Sequence, residues 1–334
     1  MQNGAGGIRE FGRMADGAKV QAITLRAGAL SVTLLTLGAI LQEVRLAGVA
    51  HGLTLGSDRV ADYEGAMRYH GSLIGPVVNR LSGAEARIGD VLHRFEANQD
   101  GCITLHGGAA GTHLKLWQIA RATDTEALLT LTLPAGEGGF PGRRQVQALW
   151  QIAAPASLTL TISASTDADT LINFANHSYW NLDGSSTWAG HSLRVAADRY
   201  LPTTEAFTPT GAIADVAGTA MDFREGRAIA PGDPLLDTCF CLSDSAQPLR
   251  DVLWLTGQSG VGLTVATTEP GIQVYDGRNA LRPGQTPHEG LAIEAQLWPD
   301  APAHPEFPSI LLRAGESRAQ TVQWRFEAPQ AARP

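Results

Sequence analysis

The chain has 334 residues, enough for one large domain or two ordinary ones. Hydrophobic residues make up 44% and charged residues 17%, a balance that supports a sizeable core and excludes a disordered chain. A formal net charge of −8, with no clustered Lys and Arg, excludes a phosphate-backbone partner, so no nucleic acid is expected.

In chain order, residues 1–17 lack the apolar core and cleavage pattern of an export signal. The apolar run at 29–41 is too short to span a bilayer. These features predict a cytoplasmic protein with no membrane partner. Short runs of β-type residues follow at 29–37 and 41–46, joined by Gly38-Ala39, then at 114–120, 128–133, 145–152, 158–164 and 193–195. Others lie at 262–267, 272–275, 291–296 and 320–326. Residues 158–164 alternate cleanly, so one face is buried and the other wet. No segment holds a helical apolar period over three turns. The 37 Gly and 18 Pro are spread as the turns of an all-β chain require. Many short strands predict a sandwich or barrel. No linker interrupts them, so residues 1–334 read as a single domain with loose tails at about 1–7 and 328–334.

The three cysteines, Cys102, Cys239 and Cys241, are an odd number in a long chain and read as free thiols. On a strand, Cys239 and Cys241 point to the same face. The polar loops are at 75–81, 104–108, 173–184, 203–211, 236–240 and 294–307, and function concentrates on such loops.

Five of these segments carry chemistry. In Asn176–Leu182, His177 can exchange a proton near neutral pH, and Tyr179 and Trp180 offer flat apolar faces. The same pattern also fits a structural His with two core aromatics. Glu294 stands among Leu291, Ile293 and Leu297 with Gln296 on its face, so desolvation would raise its pKa toward a useful base. An edge-strand Glu facing water fits equally. His106 precedes two glycines that let backbone approach a ligand, or that form a plain turn. Asn79-Arg80 brings a fork of donors suited to hydroxyls, or an ordinary surface Arg. Asp237 is a second carboxylate or a turn residue. Dinucleotide, P-loop and nucleophile-elbow motifs are missing from the sequence. His177 and His191 are too far apart for a helical pair, and His106 and His113 lack a zinc context. The expected reaction needs no metal and no cofactor.

Taken in order, these pieces resemble the aldose 1-epimerase (galactose mutarotase) family. They are the segment ending Asn79-Arg80-Leu81, Leu105-His106-Gly107-Gly108, Asn176–Leu182, Asp237-Thr238-Cys239-Phe240, Pro270–Tyr275 and the stretch from Glu294 to Pro305. Smaller echoes lie at Phe11-Gly12, Thr208–Gly211 and Met221–Arg224, so the likeness spans nearly the whole chain. It implies a large antiparallel β-sandwich with a sugar cleft over one sheet. It implies an isomerase that interconverts the α- and β-anomers of a free aldose of the galactose or glucose class. By resemblance, His177 is the general acid and Glu294 the general base; Asn79, Arg80, His106, Asp237, Gln273 and Tyr275 bind the sugar. A monomer or homodimer is expected.

The chain departs from the family at Gly75-Pro76-Val77-Val78, at Thr238 where His is common, and at Tyr275–Asn279. These positions flank sugar contacts and bear on which aldose is preferred. Three competing readings are a sugar-phosphate 1-epimerase, a non-catalytic sugar-binding protein, and a glycoside hydrolase or lyase using Asp237 with Glu294. The first needs several basic residues at the cleft. The last needs the two carboxylates about 5–10 Å apart.

Overall fold

A computed structural model describes residues 7–329. Antiparallel strands dominate. The helical elements among the described residues are one five-residue α-helix, Val60–Glu64, and four three-residue 3-10 turns. Among the described residues, no helix is long and apolar enough to cross a membrane. Gly7 opens the strand Gly7–Arg13 rather than belonging to a tail. Ala328 and Pro329 are exposed and follow the last strand, and residues 1–6 and 330–334 lie outside the described residues.

Two large sheets face each other. The nine-stranded sheet runs, edge to edge, Gln118–Ala122, Glu126–Leu133, Arg144–Ala153, Ser157–Thr166, Ser317–Glu327, Gly262–Thr267, Arg250–Thr256, Ser192–Val195 and Arg227–Ala228. The six-stranded sheet runs Tyr179–Trp180, Leu291–Gln296, Gly271–Tyr275, Asp237–Cys241, Arg199–Leu201 and Ala214–Asp215. Alternation along each strand divides core from solvent: Ser157–Thr166 buries every second residue. Val265, Leu255 and Trp324 of the larger sheet share one core with Phe240, Ile272, Val274 and Ile293 of the smaller. The Trp180 and Trp324 rings meet there at 6.0 Å. A four-stranded sheet, Gly7–Arg13 to Leu41–Leu46, precedes them.

Several expected boundaries move. The strand expected at 114–120 starts at Gln118, because Thr112–Leu114 forms a 3-10 turn first. The segment 236–240, expected as a loop, is the strand Asp237–Cys241, buried along its whole length. Lys19–Ala27 and Arg250–Thr256 are strands that the pattern did not single out.

The six-stranded sheet carries a cleft on the face turned away from the shared core. The loop leading to Asn79 is close-packed at Gly75, where a Cβ would fall 2.0 Å from the buried Phe174 ring. Gly75 also accepts the Thr112 N–H through its carbonyl, at 2.9 Å. Neither ring nor backbone can retreat from a close-packed interior. Gly75→Ala should therefore lower stability by about 1–3 kcal/mol or more. Urea unfolding would register this as a lower midpoint at unchanged slope.

Candidate active site

Three adjacent strands supply the cleft floor. Pairing sets Cys239 opposite Gln273 and Gln273 opposite Glu294. Asp237 lies opposite Tyr275, and Tyr275 and Tyr179 flank Ala292. The period of two therefore gathers Asp237, Gln273, Tyr275, Glu294 and Tyr179 on one face. It sends Phe240, Val274, Ile293 and Trp180 to the core. Trp180 thus corrects the expectation of paired aromatic sugar faces: only Tyr179 lines the cleft. Glu294 sits on an interior strand between Tyr179–Trp180 and Gly271–Tyr275, not on an edge.

His177 reaches Glu294 from the neighbouring segment, with Nε2 3.5 Å from Oε1, and both side chains are buried. The segment that carries His177 is latched to the Glu294 strand by Asn173. Asn173 Nδ2 donates to the Leu297 carbonyl (3.0 Å), and the Leu297 N–H donates to Asn173 Oδ1 (2.9 Å). Asn173 also bonds through its backbone to Pro76 and Val78, near Asn79-Arg80. It positions three loops at once, and the sequence marked it only as the first residue of the polar loop 173–184.

Asn79 and His106 form a second unit. The Asn79 N–H donates to His106 Nδ1 at 3.2 Å, and the His106 N–H donates to the Asn79 carbonyl at 2.9 Å. Because Nδ1 accepts, the neutral ring carries its proton on Nε2 and is a donor there. Both residues have positive φ, 63° and 54°, so strain gathers beside the cleft. Arg80 Nη2 lies 3.4 Å from Asp237 Oδ2, and Arg80 Nε donates to Gln99 Oε1 at 3.1 Å. Gln273 does not line the cleft. It lies against Asp237, donating Nε2 to Oδ1 at 2.6 Å, and its Oε1 is buried without a partner among the described residues. Tyr275 lines the cleft, its hydroxyl accepting the Asn279 N–H at 2.8 Å.

The cavity measures about 350 Å³ and is lined by residues from every segment above except Gln273 and Asn173. It also exposes Arg68, Tyr69, His70, Phe207 and Arg278. Of these, Phe207 lies in the polar loop 203–211 and Arg278 in the departing stretch Tyr275–Asn279; Arg68, Tyr69 and His70 sit in a stretch with no motif of its own. Among the described residues, no group of three or more His, Cys, Asp or Glu is placed to hold a metal ion.

Burial governs the charges. It pushes His70 and His113 down to about 3, and it pushes His106 well below the usual imidazole range. These rings stay neutral at physiological pH. Burial lowers His177 to about 4 and raises Glu294 well above an ordinary carboxylate. The nearby Asp237 adds to the rise of Glu294, and Arg80 opposes it. Both shifts favour neutral forms, so between the lowered His177 value and the raised Glu294 value the pair holds one proton. A second proton is taken up only near the lowered His177 value. The single proton leaves only above the usual carboxylate range. Turnover that needs one proton on the pair should therefore fall below about pH 4 and fall again at the higher pH where the raised Glu294 group loses that proton. Measuring kcat/KM against pH checks both limbs.

A buried imidazole–carboxylate pair under a polar cleft of this size is the equipment of an acid–base enzyme acting on a small polar molecule. The sequence profile of the family described as aldose 1-epimerase matches residues 21–325. Galactose mutarotase of Mus musculus is 32% identical, over 95% of this chain and 97% of its own. Aldose 1-epimerase of Escherichia coli K12 is 30% identical, over 94% and 97%. The crystal structure of galactose 1-epimerase from Lactobacillus acidophilus NCFM is 28% identical and superposes with a TM-score of 0.84, covering 97% of this chain and 98% of that one. The chain belongs to the aldose 1-epimerase family, and with it to the isomerases.

Proposed function

We propose that this protein interconverts the α- and β-anomers of a free hexose of the galactose or glucose class, as a single-domain enzyme, monomeric or homodimeric, in the cytoplasm. The observation that carries the mechanism is the 3.5 Å approach of His177 Nε2 to Glu294 Oε1 at the cleft floor. The pair's one proton sits on His177 in the reactive form, leaving Glu294 a carboxylate. Glu294 takes the proton of the C1 hydroxyl while His177 gives its proton to the ring oxygen. The C1–O5 bond breaks and C1 becomes an aldehyde. Rotation about C1–C2 turns the other face of the carbonyl toward the C5 hydroxyl. That hydroxyl returns its proton to His177 as it attacks, and Glu294 protonates the new C1 oxygen. Each proton transfer contributes about 10²–10⁴-fold. Arg80, Asn79, His106 Nε2–H, Asp237 and Tyr275 hold the hydroxyls, and Gln273 acts through Asp237.

Exchange between anomers, followed by polarimetry or NMR over a panel of free aldoses, tests this. Accelerated exchange is expected for at least one free hexose; no acceleration for any would sink the proposal.

One observation speaks for a sugar-phosphate substrate: Arg68, Arg80 and Arg278 all line the cleft. Two of the three are already engaged. Arg80 faces Asp237, and Arg278 Nη2 lies 3.0 Å from the fully buried Asp276. Arg68 has no ion-pair partner among the described residues, and one exposed guanidinium is a weak phosphate clamp. The free sugar is favoured. Parallel assays with glucose and glucose 6-phosphate separate the two.

A further inference from the structure

Phe207 lies at the tip of the segment joining the strands Arg199–Leu201 and Ala214–Asp215. The tip is a closed turn. The Thr204 N–H donates to the Thr208 carbonyl (2.8 Å) and the Phe207 N–H to the Thr204 carbonyl (3.0 Å). The Thr204 and Thr208 hydroxyls are 2.9 Å apart, and Thr203 bridges to Pro209. This closure holds Phe207 at φ 60°, the left-handed region that suits glycine and is costly for a bulky aromatic. A strained aromatic, half-buried and facing a cleft, needs a reason to be there.

Its neighbours supply one. The ring lies 5.5 Å from the Arg80 guanidinium carbon and 5.1 Å from that of Arg278. Arg80 Nη1 also reaches the Phe207 carbonyl, at 3.5 Å. Neither cation is loose. Arg80 is held by Asp237 and Gln99, and Arg278 by Asp276 and the Leu236 carbonyl. The negative face of an aromatic ring attracts guanidinium planes and repels anions. Phe207 therefore occupies approaches to both forks that a charged substituent would use. Among these polar groups the Phe207 ring is the flat apolar face, a surface that suits the C–H face of an uncharged sugar ring.

We propose that Phe207 is a specificity-determining residue: it forms an apolar wall beside Arg80 and Asp237 that binds uncharged aldoses and excludes anionic ones. The proposal rests on the epimerase reading. It makes the choice between free and phosphorylated sugar a property of one loop-tip side chain, separate from the acid–base pair.

The test compares the unaltered protein with Phe207→Gly and Phe207→Trp, measuring kcat and KM for galactose, glucose and glucose 6-phosphate. Glycine suits the positive φ, so Phe207→Gly should melt at the same temperature or higher. If it melts lower, Phe207→Asn, also tolerated in that region, replaces it. KM for the free hexoses should rise about tenfold in the glycine variant, with kcat changed less than about threefold. The preference for glucose over glucose 6-phosphate should shrink by at least about tenfold. Phe207→Trp should keep the parental preference. A KM within about twofold of the parent, or an unchanged preference in a folded variant, would overturn the role of Phe207. Absence of exchange by the unaltered protein on every free sugar would instead overturn the epimerase reading.

Discussion

Glu294→Gln is expected to slow anomer exchange by about 10²–10⁴-fold or more, with the fold intact. Glutamine keeps the size and planarity of the side chain but cannot accept the C1 hydroxyl proton. The surroundings already favour an uncharged group: Glu294 is buried, its pKa is pushed well up, and Oε2 has no partner among the described residues. The variant should therefore melt at the same temperature or above, a separation of activity from stability common at strained sites. His177→Asn should lose a comparable factor. Because the two share one proton, the double variant should be little slower than the slower single. Polarimetry on the three variants beside thermal melts decides this; factors that multiply in the double variant would mean the residues act separately.

Arg80→Gln carries the second large effect, on both binding and stability. Asp237 is buried, and Arg80 and Gln273 are its partners. Leaving a buried carboxylate without its cation costs about 3–5 kcal/mol. The loss depends on pH with a definite sign. Burial already raises Asp237, and without Arg80 it rises further. A carboxyl whose folded pKa lies above its unfolded value contributes stability at low pH and loses it as pH rises through the folded value. The variant should thus be close to the parent in acid and fall behind toward neutral pH. Glu294 also loses an opposing cation, so the upper pH limb of turnover should move upward. KM for the sugar should rise by about 10²-fold, since a charge-assisted donor is lost. Melting at several pH values, with KM at each, tests all three.

The features legible in the sequence were those carried by periodicity and by ordered motifs. Leu41–Leu46, Gly262–Thr267 and Leu291–Gln296 stand where alternation and apolar density put them. Asp237–Cys241 was not legible, because a strand opening Asp-Thr-Cys has the composition of a turn; burial on both faces comes from the sheet around it. Arg250–Thr256 hides behind two charged residues at its start. In the site, His177, Glu294, Asn79, Arg80, His106, Asp237 and Tyr275 all line one cleft. Gln273 shares the sheet face of Glu294 but turns its Nε2 to Asp237. Phe207, Tyr69 and Arg68 reach the cleft through loop geometry, which no local pattern encodes. Asn173 shows the same limit: its value lies in joining segments remote in sequence.

That remoteness has a kinetic consequence. Glu294 and His177 are 117 positions apart (294 − 177), and the sheet that unites them pairs Tyr179 with Ala292 and Gln273 with Glu294. Contacts so distant along the chain form only after costly loop closure, and chains dominated by them refold slowly. During refolding, the Ser157–Thr166 hairpin with Arg144–Ala153 can zip locally, whereas the acid and base meet only once the far strands dock. Recovered turnover should accordingly trail the return of β-structure seen by circular dichroism, making catalysis a stopwatch for the last step of assembly.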